Sequence, residues 1–144
     1  MKKNVIISLS GSGGSFSKQP DNLELITEGE YGKNGKAYFV KYNESAVTGM
    51  EGTTTTLHVD NNKVILTRCG TVNSQFVFEK GQNHYSYYDI PEGAFTIGVF
   101  TEYMKVDIND DGGSIKVGYH IRVDGNNYVE NDFNLSVRKV WYLK

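Results

Sequence analysis

Apolar and polar positions alternate with a period of two along nearly the whole chain. In Ser114–Val123, the residues Ile115, Val117, Tyr119, Ile121 and Val123 share one parity, while Lys116, His120 and Arg122 share the other. Over 128–141, Phe133, Leu135 and Val137 alternate with Asn134, Ser136 and Arg138. A β-strand sends successive side chains to opposite faces, so each pattern predicts one buried and one wet face. Weaker versions recur at Val5, Ile7 and Leu9, at Leu23, Leu25 and Thr27, and at Tyr38, Val40 and Tyr42. Further strands are expected over Thr53–Val59, Lys63–Cys69, Thr71–Glu79 and His84–Ile90. The longest is expected over Ala94–Met104, with 105–109 continuing it after a bend.

Turn-forming clusters separate these segments. They are Asn34-Gly35, Asp60-Asn61-Asn62, Lys80-Gly81-Gln82, Asp110-Asp111-Gly112-Gly113 and Asp124-Gly125-Asn126-Asn127. Such residues tolerate the positive φ angles of tight hairpins. Gly11–Ser15 reads as a flexible loop. Residues 43–52 read as a loop or a single helical turn. No segment shows a 3.6-residue apolar period. The pattern therefore predicts an all-β domain, a single antiparallel meander of about eight to ten strands spanning 1–144. No amphipathic helix is available to cover a face. The economical way to remove two exposed sheet edges is closure into a barrel, or two packed sheets.

Composition narrows the picture. The 144 residues suit one domain, and a single cysteine, Cys69, excludes an intrachain disulfide. The formal net charge of -2 points to neither a nucleic-acid nor a membrane-surface partner. The apolar run Val5–Leu9 is too short for a signal-peptide core, and no run approaches the ~20 residues of a membrane helix. A cytoplasmic protein is the expectation.

Sequence motifs offer little catalytic chemistry. Ser10-Gly11-Ser12-Gly13-Gly14-Ser15 follows a strand but lacks the Gly-Lys-Ser/Thr and the helix that a phosphate loop requires, so it reads as a plain loop. His58, His84 and His120 stand on separate strands without metal-ligand spacing, and His120 reads as a solvated residue. Cys69 has no helix N-terminus to activate it. No serine lies in a nucleophile elbow. Neither an enzyme, a cofactor nor a metal is expected.

Arg68 stands out. It shares a face with Val64 and Leu66, so its charge must reach water, a carboxylate or a bound anion. Glu44 and Glu51 are candidate structural partners. The threonine run Thr53–Thr56 is either a solvated edge or a hydroxyl-lined pocket wall. The tyrosines Tyr85, Tyr87 and Tyr88 either stack on a ligand or fill a barrel wall. The candidate ligand-facing set is Arg68, Tyr42, Glu44, Thr54, Thr56 and Tyr87.

Several segments, taken in order, resemble a known family. They are Tyr42-Asn43-Glu44-Ser45, Gly49–Leu57, Val64–Gly70 and Phe76–Gly81, then Pro91-Glu92-Gly93 through Thr101, then Gly113–Tyr119. Together these are similar to the YwiB-like family of uncharacterised bacterial proteins, over roughly residues 22 to 140. The C-terminal Trp141-Tyr142-Leu143-Lys144 fits this pattern less well. The resemblance implies a calycin-like β-barrel, shaped like lipocalins and fatty-acid-binding proteins, in a small cytoplasmic protein. It implies no catalytic residues. The functional expectation is a barrel binding a small acidic or lipophilic ligand in its lumen, with Arg68 as the anchor. The alternative is a structural or interaction module with a filled lumen. Oligomeric state is not legible in the sequence.

Overall fold

The computed structural model describes residues 2–13, 22–46, 49–60, 62–123 and 127–139. Its strands are β1 (Lys2–Gly13), β2 (Asn22–Asn34), β3 (Ala37–Asn43), β4 (Thr54–Val59) and β5 (Val64–Cys69). They continue with β6 (Asn73–Phe78), β7 (Asn83–Ile90), β8 (Gly93–Asn109), β9 (Gly112–Val123) and β10 (Asn127–Lys139). Each strand pairs antiparallel with the next, and β1 pairs with β10, so the meander closes into a ten-stranded barrel. Closure removes the two edges that an open sheet would expose.

The alternating pattern decides what enters the barrel. Val5 and Ile7, Val40, Leu57 and Val59, Val64 and Leu66, and Phe76 and Phe78 are buried from successive strands. So are Ile97 and Val99, Ile115, Val117 and Ile121, and Phe133, Leu135 and Val137. These residues form one continuous apolar cluster. The expected inner faces of the last two strands are thus observed at these residues and at the partly buried Tyr119, while the Val123 side chain lies outside the described ones. Phe78, Tyr119 and Phe133 meet in its middle, with ring centroids 4.8 and 5.5 Å from Phe78.

Positive-φ glycines occur in the expected turns, at Gly35 (67°), Gly81 (78°), Gly112 (121°) and Gly113 (142°). In the segment expected to be a loop or helical turn, Gly49 N donates to Ala46 O and Thr53 N to Met50 O, with residues 47 and 48 outside the described ones. The expected bend in the long strand is a register shift between Thr101 and Tyr103, after which β8 runs on to Asn109 against β9. A bulge there switches the inward parity from Ile97, Val99 and Thr101 to the partly buried Met104, Val106 and Ile108.

One expectation needs correcting. Gly11, Ser12 and Gly13 are not loop but the end of β1, paired with Phe133, Asp132 and Asn131. A Cβ on Gly11 would lie 2.8 Å from the carbonyl oxygen of Asp132, so glycine here permits close approach of a neighbouring backbone. Gly14 and Ser15, the 124–126 turn and Trp141–Lys144 lie outside the described residues.

The barrel wall is uneven. Between β6 and β7 the ladder holds only Asn73↔Asp89 and Ser74↔Tyr88. At the far end of this seam, His84 Nε2 lies 3.0 Å from Glu79 Oε1, and Thr101 accepts a hydrogen bond from Gly81 N at 2.8 Å. The barrel end carrying the 35–36 and 110–111 turns is tied by polar contacts. Tyr31 and Tyr38 stack at 5.4 Å, and their hydroxyls donate to Asn109 O (2.7 Å) and Asp110 Oδ1 (2.6 Å).

Candidate functional site

The opposite end of the lumen carries different chemistry. The register aligns Tyr42 with Thr55, Thr55 with Arg68, Arg68 with Ser74 and Ser74 with Tyr88. Five consecutive strands, β3 to β7, thus contribute one inward-facing row of polar side chains. The next row along the axis is apolar, with Val40, Leu57, Leu66 and Phe76 in register. Hairpin geometry produces the polar row. The turn at Asp60–Lys63 fixes Val59 opposite Val64, and counting outward by twos brings Leu57 to Leu66 and Thr55 to Arg68.

Glu44 joins this row from just beyond β3. Its backbone N–H donates to Thr53 O at 2.8 Å, and its carboxylate is almost fully enclosed, with 1% of the side chain exposed. The Thr55 hydroxyl donates to Glu44 Oε2. Arg68 Nε stands 3.9 Å from the same oxygen, an ion pair without a hydrogen bond. Three buried polar atoms here have no hydrogen-bond partner, namely Glu44 Oε1, Arg68 Nε and Ser74 Oγ. Most buried polar atoms in folded proteins have partners, so three neighbouring exceptions mark the place.

Tyr42, Tyr88 and Tyr119 lie within electrostatic reach of the arginine. Burial pushes Tyr42 well above the usual tyrosine value; the negative charge of Glu44 adds to this and the Arg68 guanidinium opposes it. Burial likewise raises Tyr88 and pushes Tyr119 up to about 12, in both cases against the pull of Arg68. Tyr119 faces inward between Val117 and Ile121 yet is only half-buried, and 17% of the Arg68 side chain is accessible. The Tyr119 ring also packs against Phe76, Phe78 and Phe133.

Of the six candidates read from the sequence, Arg68, Tyr42 and Glu44 come together here. Thr54, Thr56 and Tyr87 do not. The strand parity that points Thr55 inward turns Thr54 and Thr56 outward. Tyr87 lies on the outer face, 48% exposed, while its neighbour Tyr88 is buried. Thr55 and Tyr88 lie within the threonine and tyrosine runs singled out in the sequence but outside the six candidates, and Ser74 is the residue that the sequence reading missed. The register of the 60–63 hairpin was a usable signal for Thr55. Ser74 gave none, because a serine between polar neighbours has no visible face. Of the two suggested carboxylate partners for Arg68, the structure pairs it with Glu44.

The other candidates separate. His120 is on the outer face, as its parity implies, but is not freely solvated. Its ring packs beside Phe100, and Nε2 lies 3.6 and 3.7 Å from the carboxylates of Glu102 and Glu130. Cys69 is free and exposed at the end of β5. Among the described residues, no group of three His, Cys, Asp or Glu side chains is placed to hold a metal ion, and no helix is long and apolar enough to cross a membrane.

The family model described as "Domain of unknown function (DUF1934)" matches residues 7–135. The chain belongs to this family. Among solved structures, the chain is similar to the ywiB protein from Bacillus subtilis, with a TM-score of 0.82 and 16% sequence identity. The match covers 97% of this chain and 94% of that one. At this identity the likeness concerns the fold alone, a closed antiparallel β-barrel. No curated protein matches the chain.

Proposed function

We propose that this member of the DUF1934 family binds a small, largely apolar molecule in its lumen and does not transform it. The observation that supports this reading is the cluster of three buried polar atoms without partners, on Glu44, Arg68 and Ser74, gathered at one end of the barrel. A polar head group would sit against the row Tyr42–Thr55–Arg68–Ser74–Tyr88. An apolar body would lie against Leu66, Phe76 and Tyr119. Ligand sites commonly combine an apolar lining with a few converging polar groups. The uneven β6–β7 seam is the natural route into such a lumen. An exposed free thiol at Cys69 suits the reducing cytoplasm.

A second reading is a filled scaffold that presents its outer surface to a partner. The cluster of Phe76, Phe78, Tyr119 and Phe133 rings inside the barrel favours it. Mass spectrometry of the protein purified under native conditions separates the two. Lumen binding is expected to show a co-purifying small molecule that is reduced or lost in an Arg68→Met variant. A bare chain that no small molecule stabilises against heat would favour the scaffold.

A further inference from the structure

The pairing of Glu44 with Arg68 constrains the chemistry of the head group. An arginine alone on an apolar wall would select an anion. Here the carboxylate of Glu44 is already 3.9 Å away and almost completely buried, so the charge of Arg68 is balanced from within the protein. A ligand carboxylate would place a second negative charge beside Glu44 in a poorly solvated site. Like charges so close disfavour joint ionisation.

The unpartnered atoms specify a different match. Arg68 Nε–H needs an acceptor. Glu44 Oε1 needs a donor, because Thr55 already donates to Oε2 and leaves Oε1 unpaired. Ser74 Oγ can serve either role. Resting on the lumen-binding reading above, we infer that the head group is neutral and offers a hydrogen-bond acceptor and a donor attached to the same carbon, as an amide or lactam does. Its carbonyl oxygen would accept from Arg68 and Ser74, and its N–H would donate to Glu44. Tyr42 and Tyr88 flank this group, and the apolar row beneath it receives an apolar body.

Calorimetric titration with octanamide, octanoate and octanol tests this near neutral pH. A hydrogen bond to a charged group supports an expected preference of about tenfold for octanamide over each of the others. In Glu44→Gln the buried negative charge is gone and the charge of Arg68 is unbalanced, so octanoate is expected to become the tighter ligand. Octanoate binding the native protein as well as octanamide does would overturn the head-group assignment and leave lumen binding standing. Equal binding of octanol and octanamide would overturn it too, since the polar row would then read nothing. An amide preference unchanged in Glu44→Gln would remove Glu44 as the acceptor. Failure of all three probes to bind would count against lumen binding itself. Should Glu44→Gln not fold, the ranking on the native protein decides.

Discussion

Glu44 Oε2 and Arg68 Nε face each other across 3.9 Å inside the barrel, coupled by charge but joined by no hydrogen bond. Removing the arginine leaves a buried carboxylate held only by local donors. Arg68→Met is therefore expected to cost roughly 3 kcal/mol in urea unfolding. Adding Glu44→Gln to it should recover part of that loss. Independent, additive effects of the two substitutions would show that the charges do not interact.

The alternating strand β9 offers a sharper contrast. Ile121 is buried in the core and neighbouring His120 faces outward. Ile121→Ala is expected to cost about 2–5 kcal/mol. His120→Ala, which loses pairings to exposed carboxylates and the contact with Phe100 but leaves the apolar core intact, should cost clearly less. Equal unfolding midpoints would place the wrong face inside.

Two glycines with positive φ should respond differently to alanine. Gly81 (φ +78°) has open space where a Cβ would go, so Gly81→Ala meets only backbone strain of about 1–2 kcal/mol. Gly70 (φ +139°) would put its Cβ 2.1 Å from the carbonyl oxygen of Gly52, where the 43–53 and 70–72 loops touch beside the polar row. Gly70→Ala is expected to be clearly the more destabilising in thermal melts. It should also loosen the loop holding Glu44.

The inward tyrosines tie stability to alkaline pH. Tyr119 is pushed up to about 12, and burial also raises Tyr42 and Tyr88 above the ordinary value of 10.0. Above that value the unfolded chain loses these protons while the folded chain keeps them. The fold's advantage is thus full below pH 10 and declines as pH rises toward 12. Ultraviolet difference titration should show a late-ionising class of tyrosines. Tyr119→Phe should make the loss of stability with pH shallower, and an unchanged slope would contradict the assignment.

Much of this barrel was legible in the sequence. The parities of β9 and β10 were legible because Ile115, Val117, Tyr119 and Ile121, and Phe133, Leu135 and Val137, alternate with mostly polar neighbours. The site was harder for a physical reason. In Thr53–Thr56 all four residues are alike, so composition cannot say which faces inward. Tyr85, Tyr87 and Tyr88 occupy both parities of one strand. Gly11–Gly13 resemble a loop, although close packing against β10 holds them in a strand. The Tyr42–Tyr88 row exists only through the register of successive hairpins. Only the 60–63 turn announced that register clearly.

The central claim is that the row at Arg68 receives the polar head of a lumenal ligand. Titrating isotope-labelled protein with octanamide, while following the Arg68 Nε–H resonance and the backbone amides by NMR, tests it most directly. The expected result is a saturable shift of the Arg68 Nε–H, together with shifts concentrated at Tyr42, Thr55, Ser74 and Tyr88. An unmoved Arg68 resonance, with shifts absent or confined to the exposed Tyr85, Tyr87 and Tyr103, would contradict it.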